Sequence, residues 1–153
     1  MTATLTPTST SAPAATLAPA GQAVATKPIW RAGLAAGLAA AAATVAVAGI
    51  AHAAGVSLET APGKAIPVLG FGQLTLFFTA IGVLIAKGIR RRARQPRSTF
   101  TRTTIALTAL SVVPDMVISA GVSTKMTLVV THLVAAAIVI PALSARLPEA
   151  STR

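Results

Sequence analysis

The chain has no cysteine and no tyrosine, four Phe, one Trp and only three acidic residues, Glu59, Asp115 and Glu149. Without cysteine there is no disulfide, no thiol nucleophile and no thiolate set for zinc or an iron–sulfur cluster. On the membrane topology read below, Glu59, Asp115 and Glu149 fall in the outer loop, the membrane and the cytoplasmic tail respectively, so no acid pair can work on one substrate. Charged residues make up 10% of the 153, against about a quarter in an ordinary soluble domain. A water-facing surface cannot be built from so few charges, whereas 54% hydrophobic residues and a mean hydropathy of +0.75 suit a small integral membrane protein.

The apolar residues are arranged in runs. Ala32–Ala54 carries no formal charge and is more than half Ala. Ile66–Ala86 is likewise uncharged, Thr103–Val122 is interrupted only by Asp115, and Met126–Leu143 is uncharged apart from the titratable His132. At 1.5 Å rise per residue, ~20 residues cross a hydrocarbon core of ~30 Å. The fold expected is therefore all-α, an integral membrane bundle of four transmembrane helices at about 32–54, 66–86, 103–122 and 126–143, with residues 29–147 as the membrane domain. Val122–Met126 would then form a tight antiparallel hairpin between the last two spans. Residues 1–28 read as a disordered cytoplasmic tail, because Thr, Ser, Pro, Ala and Gly supply most of the segment and nothing there can build a core. Residues 148–153 read as a short cytoplasmic tail. A competing reading of the first run is a signal peptide ending at Ala51-His52-Ala53, but the run is longer than a usual signal core and its leading region is very long. A retained helix is the expectation.

The net charge of +10 is unevenly placed. With the N-terminus inside, only Lys64 and Lys125 of the 13 basic residues fall outside, which is a strong positive-inside asymmetry. The location expected is the bacterial inner (plasma) membrane, with both termini cytoplasmic and Trp30 as an interfacial anchor beside Arg31. Lys87, Arg90, Arg91, Arg92, Arg94, Arg97 and Arg102 concentrate in one cytoplasmic loop. Such a cluster holds topology and also attracts anionic lipid headgroups. Only Phe100 could stack a base there, so nucleic acid is not an expected partner.

At helical spacing, three runs carry a stripe of small or polar residues: Gly33, Gly37, Ala40, Thr44, Ala48 and His52; Gly72, Thr75, Thr79, Gly82 and Ala86; Thr104, Thr108, Ser111, Asp115 and Ser119. Helices in lipid associate through close backbone approach and interhelical hydrogen bonds. Gly33, Gly37, Gly72 and Gly82 are accordingly candidate packing positions, within the chain or against a second copy or another membrane protein. Asp115 is the most informative residue, since a carboxylate in a span is costly and faces the bundle interior. A hairpin places it at the depth of His132 on the next helix, ~10 and ~9 Å below the outer end. Pro114 frees the carbonyl of Leu110, which gives room for a kink or a wet pocket beside the carboxyl. The candidate site is an Asp115–His132 intramembrane pair, read as a packing-specific hydrogen bond or as a proton or cation relay. His52, Asp115 and His132 show no metal-ligand spacing, so no metal or other cofactor is expected.

No nucleophile elbow, zinc helix or phosphate loop is present, and no enzyme activity is expected. The segments WRAGLAAGLAA, AAGVSLE, IPVLGFG, LTALSVVPD and MTLVVTHLVAAAIVIPALSARL, in that order around the Arg-rich loop, resemble an actinobacterial family of small four-transmembrane-helix proteins of unknown function, over residues 29–147. The resemblance implies a retained first span and a four-helix bundle, and it supplies no assigned site. His132 fits the family pattern and Asp115 departs from it. The role expected is a structural or accessory protein packing in the membrane; a small transporter using Asp115 and His132 and a lipid sensor using the basic loop are the alternatives.

Overall fold

The computed structural model describes residues 28–149, so the expected N-terminal tail and the last residues of the C-terminal tail lie outside the described part. Four helices follow one another: α1 (Ile29–Ala53), α2 (Val68–Arg92), α3 (Pro96–Val117) and α4 (Val122–Ser144). A short ribbon, β1 (Glu59–Ala61) and β2 (Lys64–Ala65), lies between α1 and α2 and was not anticipated in an all-α reading. Its strands pair antiparallel, Glu59 with Ala65 and Ala61 with Lys64. The Pro62-Gly63 turn joining them places Gly63 at φ +70°, a conformation that costs glycine nothing.

Each helix end has a local cause. Ala, the best helix former, dominates α1. That helix closes on Gly55, at φ +87°, whose N–H donates to the carbonyl of His52 while the Val56 N–H donates to Ala51. This is a Schellman stop, and it places Ala51–Ala53 in the last helical turn. α2 begins after Pro67 and runs on through Lys87, Arg90, Arg91 and Arg92. The expected basic loop is thus mostly helix, because Lys and Arg are good helix formers and favour the negative C-terminal end of the dipole. Only Ala93–Gln95 separates it from α3, which starts with Pro96 at its first position, where the missing N–H costs nothing.

α1 packs most closely on α2 and α4, α4 also packs on α3, and α2 meets α3 much more sparsely. Around the bundle the order is α1, α2, α3, α4. One apolar cluster, Ile29, Ala86, Phe100, Leu143 and Leu147, closes the end that carries the basic residues. A second, Ala48, Leu58, Phe71 and Leu128, closes the other end. Leu58 is 2% exposed and sits at φ +55°, an unusual conformation for a branched side chain, held by its burial in the cluster with Ala48, Phe71 and Leu128.

Side-chain sizes are inverted relative to a soluble bundle. The middle of the interior holds Ala40, Ala41, Thr44 and Thr79, while Leu34, Leu38, Phe77, Phe78, Leu84 and Leu110 face outward. α1, α2 and α4 are each long and apolar enough to cross a membrane. α3 does not reach that standard: its uncharged part before Asp115 is rich in Thr and Ser, and from Thr103 to its end it is only ~22 Å long. The expected span of 103–122 gains Pro96–Arg102 as helix at its start and loses Ile118–Val122, of which Val122 opens α4.

Candidate functional site

The end of α3 carries the polar chemistry. Pro114 has no N–H, so the carbonyl of Leu110 loses its helical partner, and the helix stops one turn later. Ile118 (ψ 151°) and Gly121 (ψ 152°) are extended. The anticipated tight turn at Val122–Met126 is therefore replaced by an Ile118–Gly121 link that bends at Ile118 and Ser119, and Val122–Met126 forms the first turn of α4. Asp115 stands two residues from the end of its helix, whereas His132 stands ten residues into α4, ~15 Å from its start. The Ile118–Gly121 link carries the chain from one level to the other.

Asp115 and His132 meet. The His132 Nδ1 lies 2.9 Å from Asp115 Oδ2 and 3.0 Å from the carbonyl oxygen of Leu128. Both neighbours accept hydrogen bonds, so Nδ1 carries the proton and donates it to Leu128, and in the neutral ring Nε2 is left as an acceptor. Asp115 Oδ2 is buried without an aligned donor, at ion-pair distance from the ring. The side chains are 13% exposed for Asp115 and 35% for His132. A carboxylate at a helix C-terminus adds negative charge to the negative end of the dipole. Lys125 opposes this from the first turn of α4, its Nζ donating to the carbonyl of Met116 at 2.9 Å. The reading of the sequence missed Lys125, which its place as the lone cation beside the α3–α4 junction could have signalled.

His132 also borders a half-open cleft of ≈ 420 Å³ between α2, α3 and α4, on the seam where α2 and α3 meet sparsely. Its walls are Leu, Ile, Phe and Ala with a scatter of hydroxyls. The sequence carried no signal for this space beyond the absence of glycine from α3.

The packing glycines differ in what they touch. A methyl added at Gly33 would overlap Val83, one at Gly72 would stand 2.8 Å from Val45, and one at Gly37 would stand 3.0 Å from Thr79. All three lie in the α1–α2 seam, where the hydroxyls of Thr44 and Thr75 also meet at 3.0 Å. Gly82 is different, with only Leu143 at 3.8 Å from an added methyl.

The seven basic candidates all lie at one end of the bundle, and all are exposed. Arg97 pairs with Glu149, which ties the start of α3 to the segment after α4. Trp30 is half exposed at the same end, with the Arg31 guanidinium 5.7 Å from its ring centre. His52 is exposed at the opposite end, and among the described residues no three His, Asp or Glu side chains converge on a metal-sized site.

A helical bundle with small residues in the middle of its interior, many large apolar residues on its outside and three helices fit to cross a membrane is the architecture of a membrane protein. The chain belongs to the Family of unknown function (DUF6069), whose model matches residues 24–149. No curated protein and no solved structure shows a match to it.

Proposed function

We propose that this is a four-span, non-enzymatic accessory protein of the bacterial cell membrane, of actinobacterial type, in which the Asp115–His132 contact anchors a weakly apolar third span. The observation that carries this reading is the 2.9 Å approach of the two side chains from adjacent helices. α3 is the helix least able to hold itself in lipid by apolarity, and it is the helix that the contact ties to α4. The basic end then lies in the cytoplasm with both termini, in keeping with the positive-inside asymmetry. Lipids are the immediate partners. The glycine faces are spent inside the chain, which leaves the exposed Leu and Phe residues for any protein neighbour.

A second reading, a proton or cation relay, is favoured by the buried Asp115 oxygen without an aligned donor beside a titratable ring. One experiment separates the two. Purified protein and Asp115→Asn are reconstituted in proteoliposomes and assayed for proton and cation flux, and a double-mutant cycle of Asp115→Asn with His132→Ala is run on unfolding in detergent. The anchoring reading predicts no flux from either protein and a coupling of about 0.6–1.7 kcal/mol, the range for polar contacts between membrane helices. Flux in the wild type that disappears in Asp115→Asn supports the relay, and absence of coupling removes the anchor.

A further inference from the structure

From the basic end of α2 we infer a seat for one anionic glycerophospholipid, with its phosphate held at Gly88 and an acyl chain laid along the helix beside it. This inference rests on the membrane placement proposed above. Leu74, Phe77, Ile81 and Leu84 are all exposed and follow one another in steps of three and four, so they form a single apolar ridge on the outside of α2. From Leu74 to Leu84 the ridge is ~15 Å long, the hydrocarbon depth of one bilayer leaflet. Gly88 is the next step on the same ridge, ~6 Å beyond Leu84. The headgroup layer is ~5–8 Å thick, so Gly88 stands at the level of the lipid phosphate.

Nothing inside the chain requires glycine at that position. Glycine is a poor helix former, yet Gly88 is exposed within α2, and beyond its own stretch of helix no atom of the described residues comes within 4 Å of a Cβ built on it. The other glycines within the described helices all meet a neighbour inside that distance. The missing side chain leaves a notch in the ridge, and three cations surround it. Arg91 and Arg92 stand one turn further on, to either side of the ridge line. Helical side chains lean back toward the N-terminus, which carries both guanidinium groups toward the turn holding Gly88. Lys87 flanks the notch on the side of Arg91, four residues from it. Glu149, the one acidic side chain described at this end, pairs with Arg97, so none of the three has a carboxylate partner among the described residues. Three unit charges outweigh the roughly −0.5 charge at the end of the helix dipole. A headgroup of net negative charge, such as that of phosphatidylglycerol, matches this setting, whereas the ammonium of phosphatidylethanolamine meets three like charges. The apolar ridge favours a lipid over free phosphate, which gains nothing from it.

The test uses the full chain purified in a neutral detergent, with phosphatidylglycerol or phosphatidylethanolamine of the same acyl chains added and binding read by native mass spectrometry. The seat predicts a first phosphatidylglycerol bound about tenfold more tightly than the first phosphatidylethanolamine. Arg91→Gln and Arg92→Gln should each weaken phosphatidylglycerol about fivefold, the worth of one cation at a membrane surface. Gly88→Leu, which fills the notch and keeps every charge, should abolish the preference for phosphatidylglycerol. Arg146→Gln, which removes a charge from the same end, should leave the preference unchanged; helix content by circular dichroism shows that the variants are folded. A preference that survives Gly88→Leu, or that falls as far in Arg146→Gln as in Arg91→Gln, means diffuse attraction by the basic end and overturns the seat. Displacement of the lipid by excess inorganic phosphate means that the notch takes a free anion and overturns the lipid as its occupant. A chain that stays soluble and monodisperse after detergent removal overturns the membrane placement and this seat together, and a detergent-dependent chain that binds both lipids equally overturns the seat alone.

Discussion

The seam between α1 and α2 and the seam between α2 and α3 share a helix but are built from different residues. In the first, Gly33, Gly37 and Gly72 remove the side chains that would hold the backbones apart, and Val83, Thr79 and Val45 fill the hollows. In the second, α3 contributes no glycine, and Thr104, Thr108 and Ser111 fold their hydroxyls back onto their own backbone. Such a face does not nest closely and has no hydroxyl proton left to donate across the gap, and a cleft remains. Close approach in lipid is set by the small residues present on both faces, since apolarity alone does not distinguish a helix from the surrounding tails.

Two pairs of substitutions sharpen that contrast. The largest effect is expected at Leu143, which is fully buried and lies against Gly33. Leu143→Ala should destabilise the detergent-solubilised protein by about 2–5 kcal/mol. Leu107→Ala, at the half-exposed rim of the cavity, should cost under about 1 kcal/mol. Both are read from denaturant unfolding followed by circular dichroism, and equal losses would mean that the α2–α3 seam is packed as tightly as the junction where α4 meets α1 and α2. A smaller effect is expected at the glycines. Gly33→Ala forces Val83 aside and should cost about 1–3 kcal/mol. Gly82→Ala meets only ordinary contact, so it should be neutral or stabilising by up to about 1 kcal/mol through helix propensity. A reversal of that order in thermal unfolding would place the close seam on the wrong side of α2.

Much of the tight seam was legible in the sequence. The stripe Gly33, Gly37, Ala40, Thr44 and Ala48 is buried, and Gly72, Thr79 and Ala86 form the buried face of α2. Steps of three and four residues fix a helical face whatever the neighbours do, so periodicity was sufficient. His52, at the end of the same stripe, is exposed because α1 closes at Gly55 and leaves it at the rim. The pairing of Asp115 with His132 was legible only as shared depth, because helix rotation is set by packing rather than by spacing. Even that depth came from the wrong hairpin, since α3 stops below its partner and the link climbs. The ribbon between α1 and α2 was hidden because five strand residues with an irregular register are too few to show an alternating pattern. The open α2–α3 seam was the least legible feature, as a cavity depends on which faces meet.

A four-span topology requires that α3 cross the membrane. Because the chain has no cysteine, single cysteines can be placed at Gly63 in the ribbon, Arg94 between α2 and α3, Ser119 between α3 and α4, and Arg146 after α4. Labelling of intact cells by a membrane-impermeant maleimide should modify Gly63→Cys and Ser119→Cys, and should reach Arg94→Cys and Arg146→Cys only after permeabilisation. Modification of Ser119→Cys and Arg94→Cys from the same side, with Arg146→Cys on the other, would contradict a spanning α3 and leave three crossings.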